Sequence, residues 1–542
     1  MARSRSTAAE RGQMSRRTLL TALGFGVPGG ILLAGCSVPT PSSFPPPPPG
    51  VPDAAPFSLG VMAGDPRPGG TDVWTRVDPP VDGRPVGVLW TVSEDRDFAT
   101  VTAGGVEVAT ADDDHCISVP VSGLANDRWY FYRFEVDGQA SRTGRLRTAP
   151  AVDSTPDHLR FAVTSCQQIT SESWFVTHRC IAEEPELDFL VHLGDYVYNS
   201  ATSTITLDQY RSFYRRWRHQ PLLRDLQAHV PMVAMWDDGE QEFPGGPDRT
   251  MDPARAEAAR RAWFDYFPLV DPGGRRAYRA LTWGALADLP VADVRSYRDP
   301  VIFEIDHTSG PGLDTYDPTR SSLGPEQYAW LTGLLGDSTA AWRLAQISYN
   351  ISPWRLVNLE FLRQFRPDLP PNAGIYAPND AWDAYKAERR DLLQFLTDAG
   401  VSDTVFTSAH THIAIASELA VDPDDRRSPA VAFDFTSPAM TADPDPRRAF
   451  LGDLPERLAE EIIRFGEQFV LSQNAGRMRH LNLIDQGYLL VDVTPEDVTV
   501  QVRLVNTYDP DARPFTGAAF RVAKGATRIE RLAAQRRRGS FA

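Results

Sequence analysis

Four strings in this chain end apolar runs with side chains able to bind cations: Ser165-Cys166-Gln167-Gln168, Gly194-Asp195-Tyr196-Val197-Tyr198, Trp236-Asp237-Asp238-Gly239-Glu240 and Ala409-His410-Thr411-His412. Each has an ordinary reading when taken alone. A lone cysteine at a strand end is commonly a small buried residue. Gly-Asp serves equally as a turn or a helix cap, although the glycine also lets the backbone turn tightly enough for the aspartate to share its oxygens between two cations. The paired aspartates suit a solvated acidic loop. Two histidines two residues apart can give their nitrogens to one metal or to adjacent metals. What distinguishes the four is that all stand at the ends of apolar runs.

Those runs are the elements that must position the chemistry. Leu159–Thr164, Leu187–Leu193, Met232–Trp236, Arg343–Ser348 and Thr404–Thr407 read as buried strands. Helical periodicity appears over Ser203–His219, Asp252–Tyr266, Gly324–Leu335 and Ala381–Ala399. The alternation predicts an α/β fold, and in open α/β sheets ligands bind outside the carboxyl ends of the strands. Near the end, Val431–Thr436 and the pair Gly487–Val493 and Val498–Val505 read as antiparallel strands completing a sheet. Residues 57–150 differ in kind. Short alternating segments at Val86–Val92, Thr100–Thr110 and Trp129–Val136 predict a small β-sandwich, and Leu124–Tyr132 resembles an immunoglobulin or fibronectin III-like domain.

In their order and spacing, the four endings resemble the calcineurin-like metallophosphoesterase superfamily and, within it, the PhoD-like alkaline phosphatase and phosphodiesterase family. Connecting segments share the resemblance: Asp293-Val-Arg-Ser-Tyr-Arg298, Leu323-Gly-Pro-Glu-Gln-Tyr-Ala-Trp330 and Asp380-Ala-Trp382-Asp383-Ala-Tyr385 with Glu388-Arg389. The resemblance implies an αββα metallophosphoesterase domain over 157–525 and a dinuclear or polynuclear metal site. Cys166 and Tyr198 would be ligands of a ferric ion, and Asp195 would bridge to a second metal. Asp238 would bind that second metal, and His410 and His412 would divide between the two. Asp195 and Asp238 are then the catalytic carboxylates. The expected chemistry is attack by a metal-activated hydroxide on a phosphate mono- or diester. Arg295 and Arg298, which suit phosphate but equally suit ion pairing, are left outside the site.

Two departures bear on this expectation. The family pattern Asp-Asp-His-Glu has Gly239 in place of its histidine, which removes a general acid; if that acid is what the chain lacks, restoring histidine should raise the rate. The family's Gly-Asp-x-His is replaced by Ala409-His410-Thr411-His412, closer to the Gly-His-x-His of purple acid phosphatases. Imidazole for carboxylate lowers the negative charge of the site and opens the second metal to zinc, manganese or iron as well as calcium.

The remainder of the chain gives an address. Arg16-Arg17 before a glycine-broken apolar stretch ending Leu33-Ala34-Gly35-Cys36 resembles a twin-arginine signal (1–36) with a lipoprotein box, making Cys36 the lipidated residue and the protein exported and anchored to the outer face of a membrane. A Pro-rich linker (37–56) includes five prolines, Pro45 to Pro49. At about 3.1 Å per residue it would act as a stalk. With Cys36 lipidated, three cysteines remain, an odd number that points to work other than disulfide pairing. The formal net charge of −16 argues against nucleic-acid binding, and the basic stretch at 526–542 reads as a solvated helix end. No obligate protein partner is expected. The competing functional readings are a degenerate family member that binds metal or phosphorylated polymer without efficient turnover, and a structural envelope protein.

Overall fold

The computed structural model describes residues 55–169, 175–198, 206–241, 253–269, 274–301, 316–377, 380–444, 455–474 and 476–534. The signal, Cys36 and the Pro-rich stalk lie outside the described residues. No described helix is long and apolar enough to cross a membrane.

Residues 57–149 form two antiparallel sheets. One joins Val61–Ala63, Thr71–Arg76 and Cys116–Val121; the other joins Val101–Ala109, Val86–Ser93, Trp129–Val136 and Gln139–Ala140, with Gly144–Arg147 also on Trp129–Val136. Period-two alternation creates their common core. In Trp129–Val136 every second side chain is buried, so that Tyr130, Tyr132 and Phe134 meet Val73, Val119 and Val121. The Tyr130 hydroxyl accepts the Ala125 backbone N–H at 2.9 Å, pinning the chain just upstream as a tyrosine corner does.

The larger unit contains two seven-stranded sheets. The first runs in the order Met232–Met235, Phe189–Leu193, Leu159–Thr164, Gln486–Val493, Asp497–Val505, Phe515–Ala523 and Glu530–Arg531. The second runs Arg279–Trp283, Ala287–Ala292, Trp342–Ile347, Thr404–Ser408, Ala432–Thr436, Ala414–Leu419 and Met478–Asn482. They share one apolar core, with Phe189 against Trp283 and Phe435 against Phe520, ring centroids 5.7 and 5.9 Å apart. Three strands of the first sheet are mutually parallel, as are four of the second. Helices lie on the outside. Leu207–Arg218 begins with a capping box in which Thr206 and Gln209 satisfy each other's backbone N–H groups, and Pro325–Asp337 begins with proline at its first turn, where the missing N–H costs nothing.

Three expectations change. Ala432–Thr436 lies inside the second sheet, antiparallel to Ala414–Leu419 as expected but parallel to Thr404–Ser408, whereas the pair at 486–505 completes the first; the full burial of Ala432–Thr436 fits an interior position. Within 526–542, Glu530–Arg531 pairs with Phe515–Ala523 as an edge strand and is not helical. The periodic stretch 381–399 splits into a 3-10 turn at Trp382–Ala384 and an α-helix at Lys386–Asp398, because the Asp383 carboxylate is drawn to the Trp354 N–H and to Arg389.

The two units interlock. Trp74 of the small unit donates its indole N–H to the Asp265 carbonyl at 2.8 Å, and the buried Arg218 guanidinium lies 3.9 Å from the centre of the Trp74 ring. Arg279 forks onto Asp65, with Nη2 2.7 Å from Oδ1.

Candidate metal centre

The carboxyl ends of parallel strands from both sheets converge. Cys166 follows Leu159–Thr164, Asp195 follows Phe189–Leu193, Asp237 and Asp238 follow Met232–Met235, and His410 follows Thr404–Ser408. Four residues at these turns have left-handed backbones: Cys166 (φ +59°), Asp195 (+54°), His410 (+71°) and His412 (+58°). L-residues adopt this region at a cost, and such strain clusters where surrounding structure aims a side chain for a purpose. Gly194, at φ +91°, permits the closest approach: an added Cβ would lie 2.4 Å from the Asp237 backbone nitrogen.

Two groups of donors result, and Asp195 belongs to both. Donor atoms of Cys166, Asp195 and His412 all lie within 4.8 Å of one another, as do those of Asp195, Asp237, Asp238 and His410. In the first group Cys166 Sγ is 3.3 Å from Asp195 Oδ2. The Tyr198 hydroxyl donates to that same oxygen at 3.1 Å and lies 3.0 Å from His412 Nε2. His412 is steadied through Nδ1, 3.0 Å from the Asp443 carbonyl. In the second group His410 Nδ1 lies 2.7 Å from Asp237 and 3.4 Å from Asp238. All six residues expected from the sequence therefore meet in one place.

Four further residues belong here. Asp237 is fully buried between His410 and Arg295, and was indistinguishable from Asp238 as one of two adjacent acids at a strand end. Arg295, which sequence reasoning set aside, is buried with its fork on Asp237 and a second contact to Asp380 at 2.8 Å. Its signal was its place after the strand Ala287–Ala292. Asp380, in the Asp-Ala-Trp motif, also receives Arg298 and lies 3.6 Å from His410 Nε2. Glu240 was passed over within the acidic string. Its buried carboxylate accepts the backbone N–H groups of Asp195 (2.9 Å), Tyr196 (2.6 Å) and Asp237 (2.8 Å), joining two of the turns.

The electrostatics fit a cation. Burial, and then the neighbouring carboxylates, raise the Asp195 carboxyl, the Cys166 thiol and the Tyr198 phenol well above their ordinary values. Burial opposes the charge of His410, but Asp237 and Asp238 outweigh it and raise the imidazole well above its usual range. The Cys166, Tyr198 and Asp195 side chains packed this closely repel one another once ionised, and the His410 imidazolium offsets only the carboxylates of Asp237 and Asp238 beside it. Cations at the two positions would reverse that repulsion, and their binding would release protons.

Gly239 closes the site differently from a family histidine. Its N–H donates to Asp195 Oδ1 at 2.8 Å, and an added Cβ would lie 2.6 Å from that oxygen and 2.7 Å from the Val197 carbonyl. A histidine restored here would have to displace these contacts before it could act as an acid, because its first atom meets both in this backbone.

Comparison with known proteins gives a consistent picture. The model of the PhoD-like phosphatase family matches residues 161–502, and that of the PhoD-like phosphatase N-terminal domain matches residues 46–150. Alkaline phosphatase D of Bacillus subtilis is 28% identical over 514 residues, covering 88% of this chain and 82% of the relative. The solved structure of PhoD superposes with a TM-score of 0.75 at 26% identity, covering 90% of this chain and 94% of that one. A purple acid phosphatase from yellow lupin seeds shares the fold at 11% identity, with a TM-score of 0.50 over 86% of this chain and 75% of its own.

Proposed function

The chain belongs to the PhoD-like phosphatase family and is a phosphoesterase hydrolase; from that premise we propose that it is an exported enzyme hydrolysing phosphate mono- or diesters at a dinuclear metal centre. The proposed ligands are Cys166, Asp195, Tyr198, Asp238, His410 and His412, with a ferric ion beside Cys166 and Tyr198 and calcium, zinc, manganese or iron at the second position. The observation that carries this reading is the membership of Asp195 in both donor groups, with Oδ2 toward Cys166 and Tyr198 and Oδ1 toward the second loop.

When bound, the cations supply Lewis acidity for the phosphoryl oxygens and a hydroxide nucleophile near neutral pH. The protein's own residues do the positioning. Gly239 N–H and Tyr198 hold the two Asp195 oxygens, and Glu240 holds the Asp195 and Asp237 backbones in common. Arg295 compensates Asp237 and Asp380 and so limits the negative charge facing an anionic substrate. The two-sheet unit at 57–150 is read as an immunoglobulin-like sandwich bracing the phosphoesterase domain at 157–525. Lipidation at Cys36 would place the enzyme on the outer face of a membrane, where esters of lipids or wall polymers are within reach.

A second reading, metal or phosphopolymer binding with little turnover, is favoured by Gly239, which leaves no side-chain acid at that position for the leaving group. Metal analysis of the purified chain, with assays of an aryl phosphate monoester and a diester beside Cys166→Ala and Asp195→Asn, separates the two. The enzyme reading expects each variant to lose bound metal and at least about 100-fold in kcat/KM. Wild-type turnover no faster than Asp195→Asn, with metals bound, would leave only the binding reading.

A further inference from the structure

Lys386 opens the helix Lys386–Asp398 and is only 4% exposed, and its Nζ has no hydrogen-bond partner among the described residues. The ammonium sits against two rings, 3.6 Å from the centre of Tyr376 and 5.1 Å from that of Tyr316. It borders a cavity of about 40 Å³ whose other charged lining residues are Arg355, Arg389, Arg390, Arg477 and a single acid, Glu418. Among the described residues the lining carries five cationic groups and one carboxylate, and of the five Arg355 and Arg389 are ion-paired with Asp424 and Asp383 outside the lining.

The nearby carboxylates are committed elsewhere. Asp424 takes Arg355 at 2.8 Å, Asp383 takes Arg389 at 2.7 Å, and Glu418 takes Arg479 at 2.8 Å. Arg355 Nε, like Lys386 Nζ, is buried without a hydrogen-bond partner among the described residues. A cation at the first position of a helix also opposes the helix dipole, whose positive end lies there. A buried ammonium uncompensated on all of these counts is costly, and an anion in the cavity relieves every one. The space suits a few water-sized atoms, at roughly 10–15 Å³ for each water, which matches the scale of a small oxyanion.

We propose that this cavity binds a free tetrahedral oxyanion of the phosphate or sulfate class, held by Lys386 Nζ and Arg355 Nε. The site uses none of the metal-centre residues, and the proposal stands apart from the phosphoesterase reading. Burial first, then Arg389 and Arg355 against the opposing pull of Asp383, brings the Lys386 pKa down to about 7, so the ammonium is present at neutral pH only in part until an anion arrives.

The test follows thermal unfolding of the full chain, wild type with its metals bound and each variant as purified, against sulfate and, separately, inorganic phosphate, at constant ionic strength set with chloride. Wild type and Asp195→Asn should both show a saturable rise in Tm, distinct from the non-saturating effect of an excluded salt. In Lys386→Met the apparent affinity should fall at least about tenfold, while the anion-free Tm should rise because a buried unpaired charge is gone. A rise with phosphate that vanishes in Asp195→Asn, together with none for sulfate, would assign the effect to the metal centre and overturn the proposal. So would an unchanged response in Lys386→Met. Wild-type crystals soaked in selenate give a reading that does not depend on the variant: anomalous density within hydrogen-bonding reach of Nζ is expected, and density confined to other places rejects the site.

Discussion

At Gly239 the backbone N–H that holds Asp195 and the missing Cβ are two sides of one close approach, since the helix start at 238–241 comes near enough to bond only because nothing projects from it. Gly239→Ala should therefore cost about 1–3 kcal/mol by overpacking, measured by denaturant unfolding, and should weaken metal binding by displacing the Asp195 carboxylate. Gly239→His should lower the turnover of a monoester. A gain in rate would show that the loop relaxes more readily than its contacts imply. Residue by residue, legibility was uneven. Cys166, Asp195, Tyr198, His410 and His412 stand in motifs just after short apolar runs, but it was the resemblance of those motifs to a family pattern that singled them out, each having an ordinary reading alone. Asp237 could not be told from Asp238, since which of two adjacent acids turns inward is decided by the turn they occupy. Arg295 was hidden because its role depends on two acids 58 and 85 positions away along the chain.

Glu240 acts on whole turns, tying the end of Phe189–Leu193 to the end of Met232–Met235 through three backbone N–H groups. Glu240→Ala would leave those donors buried and unpaired, with an expected loss of about 3 kcal/mol or more and release of metal, read by unfolding and metal analysis. The Lys386–Asp398 helix carries a prediction with a sign. Its first residue has a folded pKa depressed from 10.5 to about 7, so between those values the unfolded chain binds more protons than the folded one. Without added oxyanion, wild-type stability relative to Lys386→Met should rise with pH across that window by about 1.4 kcal/mol per pH unit, and fall again as pH drops toward 7. Thr71–Arg76, Ala414–Leu419, Met478–Asn482 and Phe515–Ala523 went unread, but Leu159–Thr164, Arg343–Ser348 and Thr404–Thr407 were legible almost to their boundaries, because a fully buried strand is a continuous apolar run. Their neighbours were not. Nothing in Ala432–Thr436 itself states that it lies between Thr404–Ser408 and Ala414–Leu419, because sheet order is set by how the intervening chain crosses over.

Across the whole molecule, the small two-sheet unit and the phosphoesterase domain share buried charge as well as surface. Asp65 and Arg279 are both almost inaccessible, and Arg147 of the small unit donates through Nε to Asp188 at 3.0 Å, just ahead of the strand that ends in Asp195. Asp65→Asn should cost about 3 kcal/mol by leaving a buried guanidinium short of its counter-charge, and calorimetry should record one shifted transition. Two separated transitions would mean that the units fold independently. Arg218 shows the dependence in its sharpest form: it belongs to a helix of the larger unit, yet its guanidinium is covered by Trp74 of the smaller one. The two units are therefore poor candidates for exchange by recombination. A chimaera that inherits one half from a distant relative would bring a guanidinium without its indole lid, so the halves are bound to drift together, each substitution at the seam waiting on its counterpart.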